Sequence, residues 1–201
     1  MSNLPSMGSI SDEDLIVIYD GGVMIENETI IGVGKFHEIK KECNNINEID
    51  FPCVLLPGFI DCHTHICYAG SRSIEYSKKN AGVSYQKILA EGGGIYDTME
   101  KTRLASDEEL IKNTISRLER HFFEGVLTCE IKSGYGIDFD QEIRLLKIIN
   151  EINLNHPSDV ISTCLAAHVP PNDSKTSTAE YLTLIVKELF PILRKENLTN
   201  R

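Results

Sequence analysis

Three short apolar runs, at 58–62, 126–131 and 160–165, are each followed by a stretch patterned for helix, and this alternation constrains the fold more than any other feature. Ser106-Asp107-Glu108-Glu109 is a capping-box signature that opens an amphipathic helix through Phe123, and Gly125 stops it. Ile143, Leu146, Ile149 and Ile152 lie on one stripe of a second helix over 140–153. A third helix is predicted over 178–194, kinked or shortened at Pro191. Strand, helix, strand, helix, strand, helix implies parallel strands joined by helical crossovers. Three such units cannot close a barrel alone, and an open flavodoxin-like sheet fits the order too. The polar residues favour the barrel: His63, His65, Tyr135 and His168 sit at or just beyond C-terminal strand ends, where barrel sites are built.

The first part of the chain reads differently. The runs 15–19 and 23–25 are strand-like and separated by Asp20-Gly21-Gly22, a turn signal. Residues 23–33 read as a hairpin turning at 26–28. The chain is thus expected to hold a partial β-sandwich over 1–56 and an α/β unit over 57–201. Between 74 and 104 the pattern is helical in pieces, broken at Gly92-Gly93-Gly94. That triplet is no phosphate loop, because it neither follows a strand nor precedes Lys-Ser/Thr.

A formal net charge of −10 argues against nucleic acid or an anionic membrane as the main partner, since both select basic surfaces. The N-terminus shows no basic stretch followed by an apolar run, and no apolar run is long enough to span a bilayer, so a cytoplasmic location is expected. Six cysteines are scattered without CxxC pairs, which fits reduced thiols better than a metal cluster or disulfides. Three Asn-x-Ser/Thr triplets, at Asn27, Asn172 and Asn197, are read as chance. His37, His121 and His156 are read as solvated.

His63-Thr64-His65 carries the sharpest chemical signal. Residues two apart on an extended strand project to one side, so both imidazoles can face one zinc or iron ion. The pair follows an apolar strand that itself follows Pro57-Gly58. Glu130 and Lys132 alternate with Cys129 and Ile131 at a strand end, and alternation alone leaves open which pair faces inward.

The segment from Pro57 through His65, Pro-Gly-Phe-Ile-Asp-Cys-His-Thr-His, resembles the first barrel strand of the metal-dependent amidohydrolase superfamily. Four further segments resemble the imidazolonepropionase family within it: Ala69-Gly-Ser-Arg72, Glu91-Gly-Gly-Gly-Ile95, Glu130-Ile-Lys-Ser-Gly-Tyr-Gly136 and Ala166-Ala-His-Val-Pro-Pro171. Order and spacing match over roughly 15–200. The resemblance implies the first three units of a (β/α)8 barrel beside part of a small β-sandwich. It implies His63 and His65 as ligands of one zinc or iron ion, and Arg72, Tyr135 and His168 as contacts to 4-imidazolone-5-propanoate. The implied reaction opens the cyclic amide to give N-formimidoyl-L-glutamate in histidine degradation.

The chemistry of these residue types agrees with those roles. Arginine offers a rigid fork matched to a carboxylate; a tyrosine hydroxyl can bond a ring nitrogen or carbonyl; histidine exchanges protons near neutrality. Blander readings stay open: Arg72 as a surface charge, Tyr135 as a cap on the glycine turn, His168 as a backbone partner. The family also uses a histidine from the fifth strand and an aspartate from the eighth, and no residue here matches them. No general base is assignable. The chain is therefore expected to be truncated and of doubtful activity by itself. Another cyclic-amide or amidine amidohydrolase, deaminase-like, and an inactive half-barrel are the alternatives. Metal identity is open, as is a homodimer for the full-length protein.

Overall fold

Two residues with positive φ make the hairpin at the start of the chain. In the computed structural model β1 (Gly21–Glu26) pairs antiparallel with β2 (Thr29–Lys35), with one irregularity between Met24 and Ile25. Asn27 and Glu28 form the turn at φ 47° and 65°, the left-handed geometry that two-residue hairpin turns need to match strand twist. A single helical turn, α1 (Phe36–Ile39), packs on the pair. The structure describes residues 11–14, 16–136, 138–169 and 176–199. The strand-like run at 15–19 does not form a strand: residues 16–18 have no regular structure, and Leu15 lies outside the described residues. β-propensity without a ladder partner does not hold an extended segment as sheet.

The chain divides into two units, Met1–Pro57 and Gly58–Arg201. The second is α/β. Its sheet has three parallel strands in chain order, β3 (Phe59–Thr64), β4 (Val126–Lys132) and β5 (Asp159–Thr163). Between β3 and β4 run α2 (Ser73–Asn80), α3 (Tyr85–Ala90), α4 (Ile95–Leu104) and α5 (Asp107–Phe123). Ser106 caps α5 by accepting from the Glu109 amide, which is the serine half of the capping box that the sequence signature names.

Helix α6 (Phe139–Asn155) follows β4, capped by Asp138 accepting from the Gln141 amide. After β5 come α7 (Thr178–Leu184), a π-helical turn at Ile185–Leu189 and α8 (Phe190–Lys195). Pro191 falls where the helical stretch is interrupted by that π turn. It sits in the first turn of α8, where its missing N–H is least costly, and the preceding widened turn absorbs the ring that would clash with an earlier carbonyl.

The core forms where two amphipathic stripes meet one sheet face. Leu110 and Leu118 of α5 and Leu145, Ile149 and Ile152 of α6 pack on Cys129, Ile131 and Val160 of β4 and β5. A second cluster joins Leu146 and Ala166 to Tyr181, Ile185, Leu189 and Leu193. Among the described residues, no helix is long and apolar enough to cross a membrane.

The cysteines follow this layering: Cys67 and Cys129 are buried, Cys53 and Cys62 exposed, and all six are free thiols. Burial pushes the Cys67 thiol up to about 11. At pH 8 a variant with Cys43, Cys53, Cys62 and Cys164 changed to Ser should therefore give no rapid reaction with Ellman's reagent, and two thiols on denaturation. A prompt native-state reaction would show that the core does not cover Cys67 and Cys129.

Candidate functional site

A slip in strand pairing puts the two histidines where they can act. The β3–β4 register is regular at Asp61↔Cys129, shifts, and resumes at Thr64↔Ile131. Asp61 faces α5, with Oδ2 3.7 Å from His121 Nδ1. Thr64 is also buried on that side, its hydroxyl 3.7 Å from Cys129 Sγ and donating to the Glu130 carbonyl at 2.6 Å. Residues three apart share a face only if the pleat gains a residue between them, which is what a bulge does. The His63 amide donates to Asp61 Oδ1 at 3.2 Å and holds the irregular turn.

His65 is the hub of the resulting cluster. Its ring centroid lies 5.4 Å from that of His63, 5.5 Å from that of His168 and 5.9 Å from that of Tyr135. Tyr135 also meets Tyr68 edge-on at 6.0 Å. Burial and then the neighbouring His168 and His63 rings hold His65 below the ordinary histidine range, so it is neutral near pH 7. Burial raises the Tyr135 hydroxyl above its usual value, with the Arg72 guanidinium pulling the other way; Arg72 therefore lies within electrostatic reach of that ring. Its Nε donates to Thr98 Oγ1 at 2.8 Å, and among the described residues this is the one hydrogen bond its side chain makes to protein. Four of the residues singled out in the sequence, His63, His65, Tyr135 and His168, thus converge beside the C-terminal ends of the strands, and Arg72 is held by α4 within electrostatic reach of Tyr135.

No family model matches the chain. Imidazolonepropionases of Streptococcus pyogenes serotypes M49 (strain NZ131), M3 (strain SSI-1) and M1 are each 45% identical to it over 145 residues, 72% of this chain and 34% of theirs. The chain is a homologue of the N-terminal portion of imidazolonepropionase. It spans about a third of the length of the curated relatives it matches.

Two features of the site escape a reading of residue types. The first is a Glu130–Lys132 pair at the end of β4, within electrostatic reach of His63 and His65. Lys132 Nζ lies 2.5 Å from both Glu130 oxygens, and Thr163 donates to Oε1 at 2.7 Å. Burial opposes ionisation of Glu130, but the Lys132 and Thr163 hydrogen bonds outweigh it and keep the carboxyl below its usual range. Both charges also act on His65, in opposite senses. Alternation left their face open; the structure puts them opposite the core residues Cys129 and Ile131.

The second is Glu142, fully buried in the first turn of α6. Its Oε1 accepts from the Gly134 and Gly136 amides at 3.0 and 2.8 Å, and Oε2 accepts from Gly134 at 3.0 Å. The carboxylate therefore shapes the turn that carries Tyr135. Gly134 has φ 103°, and a Cβ on Gly136 would sit 2.8 Å from Glu142 Oε1 and 2.6 Å from the Glu142 amide. Both glycines are fixed by this cradle. Two other histidines depart from the solvated reading: His121 lies against Asp61, and His156 Nδ1 accepts from the Ser158 amide at 3.0 Å. His37 is exposed.

The donors fit a metal in part. With metal–nitrogen bonds of about 2 Å at a tetrahedral angle, two imidazoles sharing an ion have centroids roughly 5 Å apart, and His63 and His65 stand at 5.4 Å. Neutral imidazole, the form His65 takes, is the ligating form. Among the described residues, no group of three or more His, Cys, Asp and Glu stands close enough to hold an ion.

Proposed function

We propose that this chain carries the metal-anchoring and substrate-capturing residues of a hydrolase that opens the cyclic amide of 4-imidazolone-5-propanoate to N-formimidoyl-L-glutamate. The observation that carries the reading is the convergence of His63, Tyr135 and His168 around the His65 ring, with Arg72 within electrostatic reach of Tyr135. The 45% identity to imidazolonepropionases supports it. The three parallel strands, covered by helices on one face, are proposed as the first part of a (β/α)8 barrel, and the hairpin unit as part of a β-sandwich.

His63 and His65 would hold one zinc or iron ion, which supplies Lewis acidity toward the amide carbonyl and acidifies a water. The rest of the chemistry belongs to the chain. Arg72 presents two unengaged terminal amino groups to the propanoate, and fixing that end fixes the ring relative to the histidines. Tyr135, protonated at neutral pH, donates its hydroxyl to a ring acceptor. His168 is exposed beside the His65 ring and would exchange a proton with the ring nitrogen during C–N cleavage.

The test replaces the matched segment of a streptococcal imidazolonepropionase by the corresponding residues of this chain and follows loss of 4-imidazolone-5-propanoate. Arg72→Ala should lower kcat/KM by about 10- to 100-fold, the worth of a charge-assisted pair. Arg72→Lys should recover part, because an ammonium lacks the fork. Unchanged kcat/KM in Arg72→Ala would remove Arg72 from substrate capture. A deaminase of the same superfamily, with no propanoate to hold, would show that same indifference.

A further inference from the structure

The Gly92-Gly93-Gly94 segment has no part in the chemistry above, yet its surroundings tie it to Arg72. Gly94 is buried, at φ 78°, and forms the N-cap of α4. Its amide donates to Glu75 Oε1 at 2.7 Å. Glu75 lies in the first turn of α2, and Arg72 is the residue that caps that helix. One turn into α4, Thr98 is 3% exposed and accepts from Arg72 Nε. Thr98 Oγ1 also reaches the Gly94 carbonyl at 3.5 Å. The two helices therefore bond each other reciprocally: α4 gives a backbone N–H to Glu75 of α2, and the start of α2 gives a guanidinium N–H to Thr98 of α4.

A second threonine extends the grip. Thr102, one turn further along α4, accepts from the Ala69 amide at 3.1 Å while its hydroxyl donates to the Thr98 carbonyl at 2.7 Å. Thr98 and Thr102 thus hold both ends of the 69–72 segment from one face of α4. The glycines are what let α4 come this close. A Cβ on Gly93 would stand 2.9 Å from Glu75 Oε1 and 2.9 Å from Ile88 Cγ2, and Gly94 uses a conformation that side chains disfavour.

We infer that Thr98 is a positioning residue for Arg72, held in place by the Glu75–Gly94 bond, and that this clamp selects substrates bearing a carboxylate. Binding Nε leaves the two terminal amino groups as the only free face of the guanidinium. Pinning the inner edge of the fork removes much of the rotamer freedom that a long side chain would otherwise lose on binding. The selectivity part rests on the proposed function; the clamp itself does not.

The experiment uses the 201-residue chain and its Thr98→Val and Thr98→Ser variants. Valine keeps the shape without the hydroxyl, and serine keeps the hydroxyl. The Arg72 Nε–H resonance, assigned by its loss in Arg72→Lys, should exchange slowly with water in the parent chain and in Thr98→Ser. In Thr98→Val it should exchange fast, while the Cys129 and Ile131 amides stay protected. Slow exchange surviving in Thr98→Val, or lost equally in Thr98→Ser, overturns the clamp. The second arm titrates 3-(imidazol-4-yl)propanoate against 4-ethylimidazole. Thr98→Val should weaken only the carboxylate-bearing probe, by about fivefold, the worth of one hydrogen bond, and Thr98→Ser should restore it. Equal weakening of both probes overturns the selectivity. A parent chain that binds the two probes alike counts against the proposed function and leaves the exchange result to decide the clamp.

Discussion

Replacing His63 and His65 together by Ala in the streptococcal chimera should reduce bound zinc or iron from about one ion per chain to under a tenth of that. A site that loses two of its imidazoles keeps too few ligands to compete with water. Each single variant should also lose metal, His65→Ala the more, because its ring is partly buried and neutral whereas His63 is exposed. Elemental analysis after dialysis against a weak chelator measures this directly. Equal metal in parent and double variant would show that the 5.4 Å pair serves another purpose.

Glu142→Ala should be the most damaging single change to the fold near the site. It leaves the Gly134 and Gly136 amides buried without the carboxylate oxygens that accept them. At about 1–3 kcal/mol for each orphaned donor, a loss of roughly 2–6 kcal/mol is expected by urea unfolding. Glu142→Gln keeps one acceptor oxygen and should cost less than half as much. In both variants the Tyr135 ring should lose its fixed edge contact with His65, seen as loss of the cross-relaxation peak between the rings. A loss below about 0.5 kcal/mol in Glu142→Ala, the range of an ordinary surface change, would mean that the turn holds itself.

How far the sequence was legible depends on the range over which each signal acts. The helix starts at Ser106 and the stop at Gly125 were legible because caps act within one turn. The alternation of apolar runs with amphipathic stretches foretold the parallel order of β3, β4 and β5. The shared face of His63 and His65 was legible from a separation of two. What brings that face away from the core was not, because the register slip between Asp61 and Thr64 is set by β4, some sixty residues on.

Glu142 was hidden for a related reason. A carboxylate in a first helical turn ordinarily faces water and the helix dipole. Only the Gly134-Tyr135-Gly136 spacing hinted that something must fill the inside of that turn. The glycine triplet at 92–94 was seen and its role was not, since the partner that explains it, Glu75, belongs to another helix. The run at 15–19 misled because apolar alternation reports a tendency to pair and says nothing of whether a partner is present.

The most direct measurement is the turnover of 4-imidazolone-5-propanoate by the chimera, purified, folded and loaded with zinc or iron. The account predicts ring opening within about tenfold of the streptococcal parent, with N-formimidoyl-L-glutamate as the product, abolished by His65→Ala. A folded, metal-loaded chimera that leaves the substrate intact, or one whose turnover survives His65→Ala, would contradict it.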